Sequence, residues 1–452
     1  MHAQRANKHE GIILAPLREI GARDRWLWAV LFGVIALGGY AYGRQWTLGL
    51  GVTGLNRPVY WGVYLTNFVF FIGLAHSGTF ISAILRLAGA GWRKPLTRAA
   101  EAITLFSLPF GVGSILIDMG RPDRALNLIF YGRFQSPLLW DITAVSLYML
   151  SSVVFFYLSL LPDIALCRDR LTEVPDWRRR LYQSLALGWE GRPEQFHRLE
   201  RVLDGMAIFM TMLVVTVHTV VSWVFGMTLQ PGWHTALIGP FFLLGAIFSG
   251  TAAVVITLAV LRRVYRLEAA LPVSLFNSLR KLLIVFTLGW LYMMIAEHLT
   301  IFYGDTPEEM EILWQKFTGD FRWIFWAMTI LVFVIPLLIF IFRGKNRIGW
   351  MVAASVMVNV GMWLERYIVI VPTETRPRLL YEMVLGVYRP TWTEAAITAA
   401  LFSGMILLYA VFTRYFPIVP VWETAEETGE AEAPPARRQR VFGARTRSVE
   451  GR

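Results

Sequence analysis

Apolar residues along this chain gather in ten long runs, broken by short segments rich in charge, Pro and Gly. The runs cover roughly residues 26–43, 59–86, 99–118, 138–161, 203–225, 236–261, 282–303, 323–342, 348–370 and 394–413. Most reach about twenty residues, the length a helix needs to cross a bilayer. Buried helices of soluble proteins would need only runs of about ten to fourteen. The pattern predicts an all-α integral membrane protein with about ten transmembrane helices.

The second and sixth runs share a stretch. "GLAHSGTF" at 73–80 resembles "GAIFSGTA" at 245–252, with Gly73, Ser77, Gly78 and Thr79 matched by Gly245, Ser249, Gly250 and Thr251. Four spans separate the copies, so both cross the membrane in the same sense. This repeat predicts two parallel four-helix bundles, spans 2–5 (59–225) and spans 6–9 (236–370). Spans 1 (26–43) and 10 (394–413) are then peripheral. Small residues recur where membrane helices approach closely, so the likeness can also arise from packing alone. The copies differ at one telling position: His76 in the first corresponds to Phe248 in the second.

Charge sets the expected orientation. With the N-terminal segment 1–25 inside, alternate connecting segments and the tail carry 31 Lys and Arg, against 10 on the other side. Both termini are therefore expected in the cytoplasm. The tail at 423–452 is rich in charge, Ala and Pro and is expected to be disordered. The net charge of +11 belongs to these flanks and does not point to nucleic acid. Overall, 56% of residues are hydrophobic and 17% charged, well below the quarter of a soluble domain. Cys167 is the single cysteine, so neither an internal disulfide nor a cluster held by Cys alone is available. No secretory leader, metal-binding HExxH, Cys/His cluster or phosphate-binding glycine loop is recognisable.

Ionisable groups within membrane spans are costly and mark interiors or cavities. The candidates are His76, Glu101, Asp118, Asp141, Asp204, His218, Glu297, His298, Glu365, Arg366 and Glu394. The topology sends Asp118, Asp141 and His218 to the outer half of the first bundle, with His76 deeper and Arg121 and Arg124 at the mouth. Glu101 and Asp204 fall at the inner ends and, with His76, could begin a proton path. Carboxylates and imidazoles gathered in low dielectric can accept protons from a hydroxyl under oxidation. An aromatic two-electron, two-proton carrier dissolved in lipid suits such a pocket. Glu365 and Arg366 are neighbours on one helix. One is expected to face the bundle while the other snorkels to the interface. Two other classes compete on the same residues: a secondary transporter, and a haem-bearing anchor using His76, His218 or His298.

The ordered set "GLAHSGTFISAILRL", "DMGRPDR", "SPLLWD", "VHTVVSW", "PGWHT", "GAIFSG" and "VNVGMWLERYIVIV" resembles the NrfD/polysulfide-reductase family of membrane subunits. The likeness spans about residues 55–395 and is greatest to C subunits of bacterial alternative complex III. It implies a quinol-binding subunit of a respiratory or photosynthetic electron-transfer complex in the bacterial inner membrane. Menaquinone is the favoured carrier, and the chain itself binds no metal or haem. The implied partners are c-type haem subunits, an iron–sulfur subunit and a second NrfD-like membrane subunit. Quinol would be oxidised near the periplasmic face, with proton translocation as a possible addition. The implied site positions are Asp118, Asp141 and His218, with His76 in the same bundle. Asp118 stands where many relatives carry His, and Val224 where many carry Asp.

Overall fold

The ten apolar runs are ten helices in the computed structural model, which describes residues 11, 13–171, 173–228, 230–376 and 386–425. They are α1 (Ala22–Leu48), α2 (Val63–Leu87), α3 (Gly91–Asp118), α4 (Pro137–Arg170) and α5 (Pro193–Gly226). Then come α6 (Ile238–Val264), α7 (Val273–Gly304), α8 (Arg322–Arg343), α9 (Ile348–Glu374) and α10 (Trp392–Tyr415). Each is long and apolar enough to cross a membrane, and the described residues contain no strand. The chain is an all-α, multi-pass integral membrane protein. Of the two charged terminal segments, residues 1–10 and 426–452 lie outside the described residues.

Two helices outrun their apolar stretches. α4 continues to Arg170 and α5 begins at Pro193, so much of 162–202 is helix rather than loop. A further short helix, Asp176–Leu185, fills the gap between them. The extra turns of α4 persist because protein, not lipid or water, surrounds most of them, whereas most side chains in the added turns of α5 are exposed or half-buried. Asp163 is fully buried and ion-paired to Arg98, itself buried. The Val421 and Trp422 amides donate to Asp163 at 3.2 and 3.3 Å, and Arg98 Nη2 donates to the Ser159 carbonyl at 2.8 Å. A buried charge persists only when paired and hydrogen-bonded in this way.

α8 departs from regular α-geometry. Pro336 interrupts its hydrogen-bond ladder, and wider π-turns occur at Ile330–Val334 and Ile339–Arg343.

α2 lies at the centre. It packs on α3, α5, α6 and α9, and α4 completes a ring with α2, α3 and α5. In the other half, α6 packs on α7 and α9, and α8 packs on α9. α1 runs along α10, which in turn meets α3. The repeated Gly-Ser-Gly-Thr stretches carry the closest approaches. An added Cβ on Gly78 would lie 2.1 Å from the Ala100 carbonyl oxygen, and one on Gly250 would lie 1.3 Å from Ser77 Oγ. The first copy therefore lets α3 in, and the second copy seats against the first. Thr104 fastens the α2–α3 contact: its hydroxyl donates to the Ala75 carbonyl at 2.6 Å and accepts from the Thr79 amide at 2.8 Å. Asn67 ties α2 onward, donating to Thr398 of α10 at 2.8 Å and accepting from Trp363 of α9 at 2.9 Å.

Candidate functional site

The end of the first bundle that carries Asp118 contains a cavity of ≈ 260 Å³. α3 brings Asp118 to it as its last residue, and α4 brings Asp141 as its fifth. Trp61, Leu65, Phe68, Val224 and Phe225 supply much of the apolar wall. Asp118 Oδ1 and Asp141 Oδ1 are shut from solvent and have no hydrogen-bond partner among the described residues. An apolar chamber with a few convergent polar atoms is the usual form of a small-molecule site. Unpartnered buried acceptors are costly unless a ligand or water satisfies them.

His76 and His218 meet beneath this chamber, deeper in the bundle. Their Nδ1 atoms are 2.9 Å apart, with ring planes at 84°, and both residues are buried. A neutral imidazole has one N–H, so one ring donates from Nδ1 and the other accepts there, carrying its own proton on Nε2. Neither Nε2 atom has a partner among the described residues. The Tyr148 ring lies against His76 at 4.6 Å, and its hydroxyl donates to the Ala75 carbonyl at 2.8 Å. On α5, Val221 and Phe225 lie three and seven residues beyond His218, on the same helical face. Both line the cavity, so that face runs from the imidazole pair up to the chamber.

The remaining sequence candidates separate. Arg121 is exposed and holds Asp123 through two hydrogen bonds of 3.0 and 2.9 Å, outside the cavity wall. That pairing pulls the Asp123 carboxyl below its ordinary value. Arg124 does not line the cavity either. Glu101 is buried at the opposite end, accepting from Ser82 at 2.6 Å and Ser159 at 2.9 Å. Asp204 sits at the rim there, paired with Arg86 at 2.9 Å. Glu394 caps α10 and accepts from Gly54, Thr391 and Tyr388.

One expectation fails. Arg366 does not snorkel: Glu365 and Arg366 are both 2% exposed and lie 3.1 Å apart. Gly245 explains how the guanidinium fits, because an added Cβ there would be 2.7 Å from Arg366 Nη2. Arg366 also stacks on the Phe242 ring at 4.7 Å.

Sequence reading also missed Arg98, Asp163 and Tyr148, which hydropathy alone assigns to a loop or to plain apolar helix. A signal was present in the spacing. Tyr148, Ser152, Ser159 and Asp163 fall on one face of α4, and all four are buried.

Fold and site together define a polytopic membrane protein with a largely apolar chamber, lined by two carboxylates, at one end of a helix bundle. Comparison with known proteins narrows this class. Residues 51–378 match the family model described as polysulphide reductase, NrfD, and the chain belongs to that family. It is 26% identical to the C subunit of the selenate reductase of Mesobacillus selenatarsenatis, over 86% of this chain and 92% of that one. It is 23% identical to the Hdr-like menaquinol oxidoreductase integral membrane subunit of Archaeoglobus fulgidus, over 88% and 95%. It is 22% identical to the menaquinone reductase integral membrane subunit of Nitratidesulfovibrio vulgaris, over 87% and 91%. The latter two are named as integral membrane subunits of oxidoreductases.

Proposed function

We propose that this chain is the quinol-binding, electron-transferring membrane subunit of an oxidoreductase complex, and that the chamber at Asp118 and Asp141 receives the quinol head. The observation that carries the reading is the pair of unpartnered carboxylate oxygens in an otherwise apolar chamber. Two relatives named for menaquinol or menaquinone support the choice of carrier. The quinol tail extends into lipid while the ring lies against Trp61 and Phe68. Its two hydroxyls hydrogen-bond Asp118 Oδ1 and Asp141 Oδ1. Oxidation removes two electrons and two protons. The carboxylates accept the protons, and the electrons leave to an adjoining iron–sulfur subunit and onward to c-type haems. The His76–His218 pair holds a further exchangeable proton below the ring. In this reading the chain lies in a bacterial inner membrane with both termini cytoplasmic and the chamber near the periplasmic face. The membrane part is completed by a second NrfD-like subunit, as in alternative complex III.

Filling the chamber tests this without altering any ionisable group. Val224→Trp in the assembled complex is expected to abolish quinol-dependent turnover while the complex still purifies intact. Unchanged turnover and unchanged KM for quinol would overturn the assignment.

Proton translocation is the second arm of the proposal. Glu101, buried and held by two serine hydroxyls, begins an inward-facing path, with Asp204 at its entrance. Glu101→Gln is expected to lower the protons moved per electron in sealed vesicles with little change in electron flux. A wild-type ratio would remove this arm and leave quinol oxidation untouched.

A further inference from the structure

The second bundle contains its own buried polar chamber, which the quinol reading does not use. It measures ≈ 40 Å³ and lies between α7, α9, the start of α6, α8 and the short helix Pro307–Phe317. Its chemistry is concentrated. α9 contributes Glu365, α7 contributes Glu297 and His298, and the short helix contributes Lys316. Arg366 stands beside it, bonded to Glu365.

Several polar atoms here are unsatisfied. Both Glu365 oxygens, Glu297 Oε2, His298 Nε2 and Trp290 Nε1 are shut from solvent without a hydrogen-bond partner among the described residues. His298 Nδ1 is bonded to the Met294 carbonyl at 2.7 Å, which fixes the ring and leaves Nε2 free toward the chamber. The Glu365–Arg366 contact does not satisfy the carboxylate. The two residues are helical neighbours, their 3.1 Å approach is oblique, and Arg366 Nη1 is also left without a hydrogen bond. The buried Arg98–Asp163 pair at the other end of the protein gives the contrast: there both carboxylate oxygens accept hydrogen bonds, although Arg98 Nε makes none among the described residues.

Volume and chemistry agree on the occupant. A buried water needs about 10–15 Å³ of such space and two to four polar partners, so this chamber accommodates about three or four. We infer that the second-bundle chamber is a hydrated proton-exchange site, in which Glu365 takes up and releases a proton through internal water. Its neighbours are accounted for on every side. Lys316 and Arg366 are cationic, Glu297 is the second carboxylate with Glu309 beyond it, and His298 is the imidazole. α6 and α8 present Phe241, Phe242, Phe325 and Met328, none of them ionisable. Burial holds the Lys316 ammonium below its usual range, opposed by Glu297 and Glu365. Toward the first bundle, Arg366 Nη2 reaches the Phe242 carbonyl at 3.4 Å, and the Phe242 ring lies 6.5 Å from that of His218. Proton exchange at Glu365 is independent of whether quinol binds at Asp118 and Asp141.

Infrared difference spectroscopy on the assembled complex in lipid nanodiscs, titrated with pH in water and in deuterium oxide, tests the inference. A protonated-carboxyl stretching band should appear on acidification, shift in deuterium oxide, vanish in Glu365→Gln and survive in Asp118→Asn/Asp141→Asn. Absence of a titrating band that depends on Glu365 would overturn it, as would loss of the band in the outer-cavity double variant. Should Glu365→Gln fail to assemble, Lys316→Gln provides the second arm. It should move the midpoint of the Glu365 band by removing the ammonium that shares the chamber with it, and an unmoved midpoint would overturn the inference.

Discussion

Asp141→Asn is expected to cut quinol-dependent turnover of the assembled complex by about 10²-fold or more, the scale of a lost general base. Asn keeps the size and a hydrogen-bond acceptor but cannot take a proton. Asp141 lines the chamber and its Oδ1 has no partner among the described residues, so no structural bond to that oxygen is lost in the exchange. Assembly and helix content should therefore be those of the wild type, and the loss should fall on kcat. Stopped-flow and steady-state measurements with a reduced quinol separate kcat from KM. Full activity in Asp141→Asn would show that this carboxylate takes no part in proton removal.

Gly78→Leu is expected to prevent accumulation of folded protein. The first side-chain atom alone would sit 2.1 Å from the Ala100 carbonyl oxygen and 2.5 Å from Thr104 Oγ1. The carbonyl is helix backbone, so relief requires α3 to move away from α2 as a body. That would break the Thr104 hydrogen bonds to Thr79 and Ala75 and open the α2–α3 contact. The cost belongs above about 4 kcal/mol, the range reached only when buried packing and hydrogen bonding fail together. Size-exclusion profiles and yield from solubilised membranes measure it. Gly73→Ala is the control, since its added Cβ meets Ala246 at an ordinary 3.5 Å. Equal yields for wild type and Gly78→Leu would contradict the packing described.

Hydropathy made the ten spans legible because lipid imposes one rule on every residue that faces it. The rule fails where protein replaces lipid. α4 extends through residues that other helices and the backbone of 417–422 bury, and Asp163 carries no hydropathy signal of that burial. Depth along a span correctly brought Asp118 and Asp141 to one end. It could not resolve azimuth, which is why the chamber excludes Arg121 while His76 and His218 lie bonded to each other. The pairing of Glu365 with Arg366 escaped for a related reason. Facing rules for neighbouring residues describe an isolated helix, and Gly245 on α6 removes the steric barrier that would otherwise turn the arginine outward.

The central place of α2 has a consequence for how the protein is made. Translation delivers α2 second, and although Thr104 follows at once on α3, other groups that satisfy it come much later. The partner of His76 lies 142 residues downstream, and that of Asn67 lies 331 downstream. For most of synthesis α2 must wait in the bilayer with its polar face unmatched. Its mean hydropathy of 1.9 permits that residence. The helix that ends most enclosed thus depends on partners delivered late in synthesis.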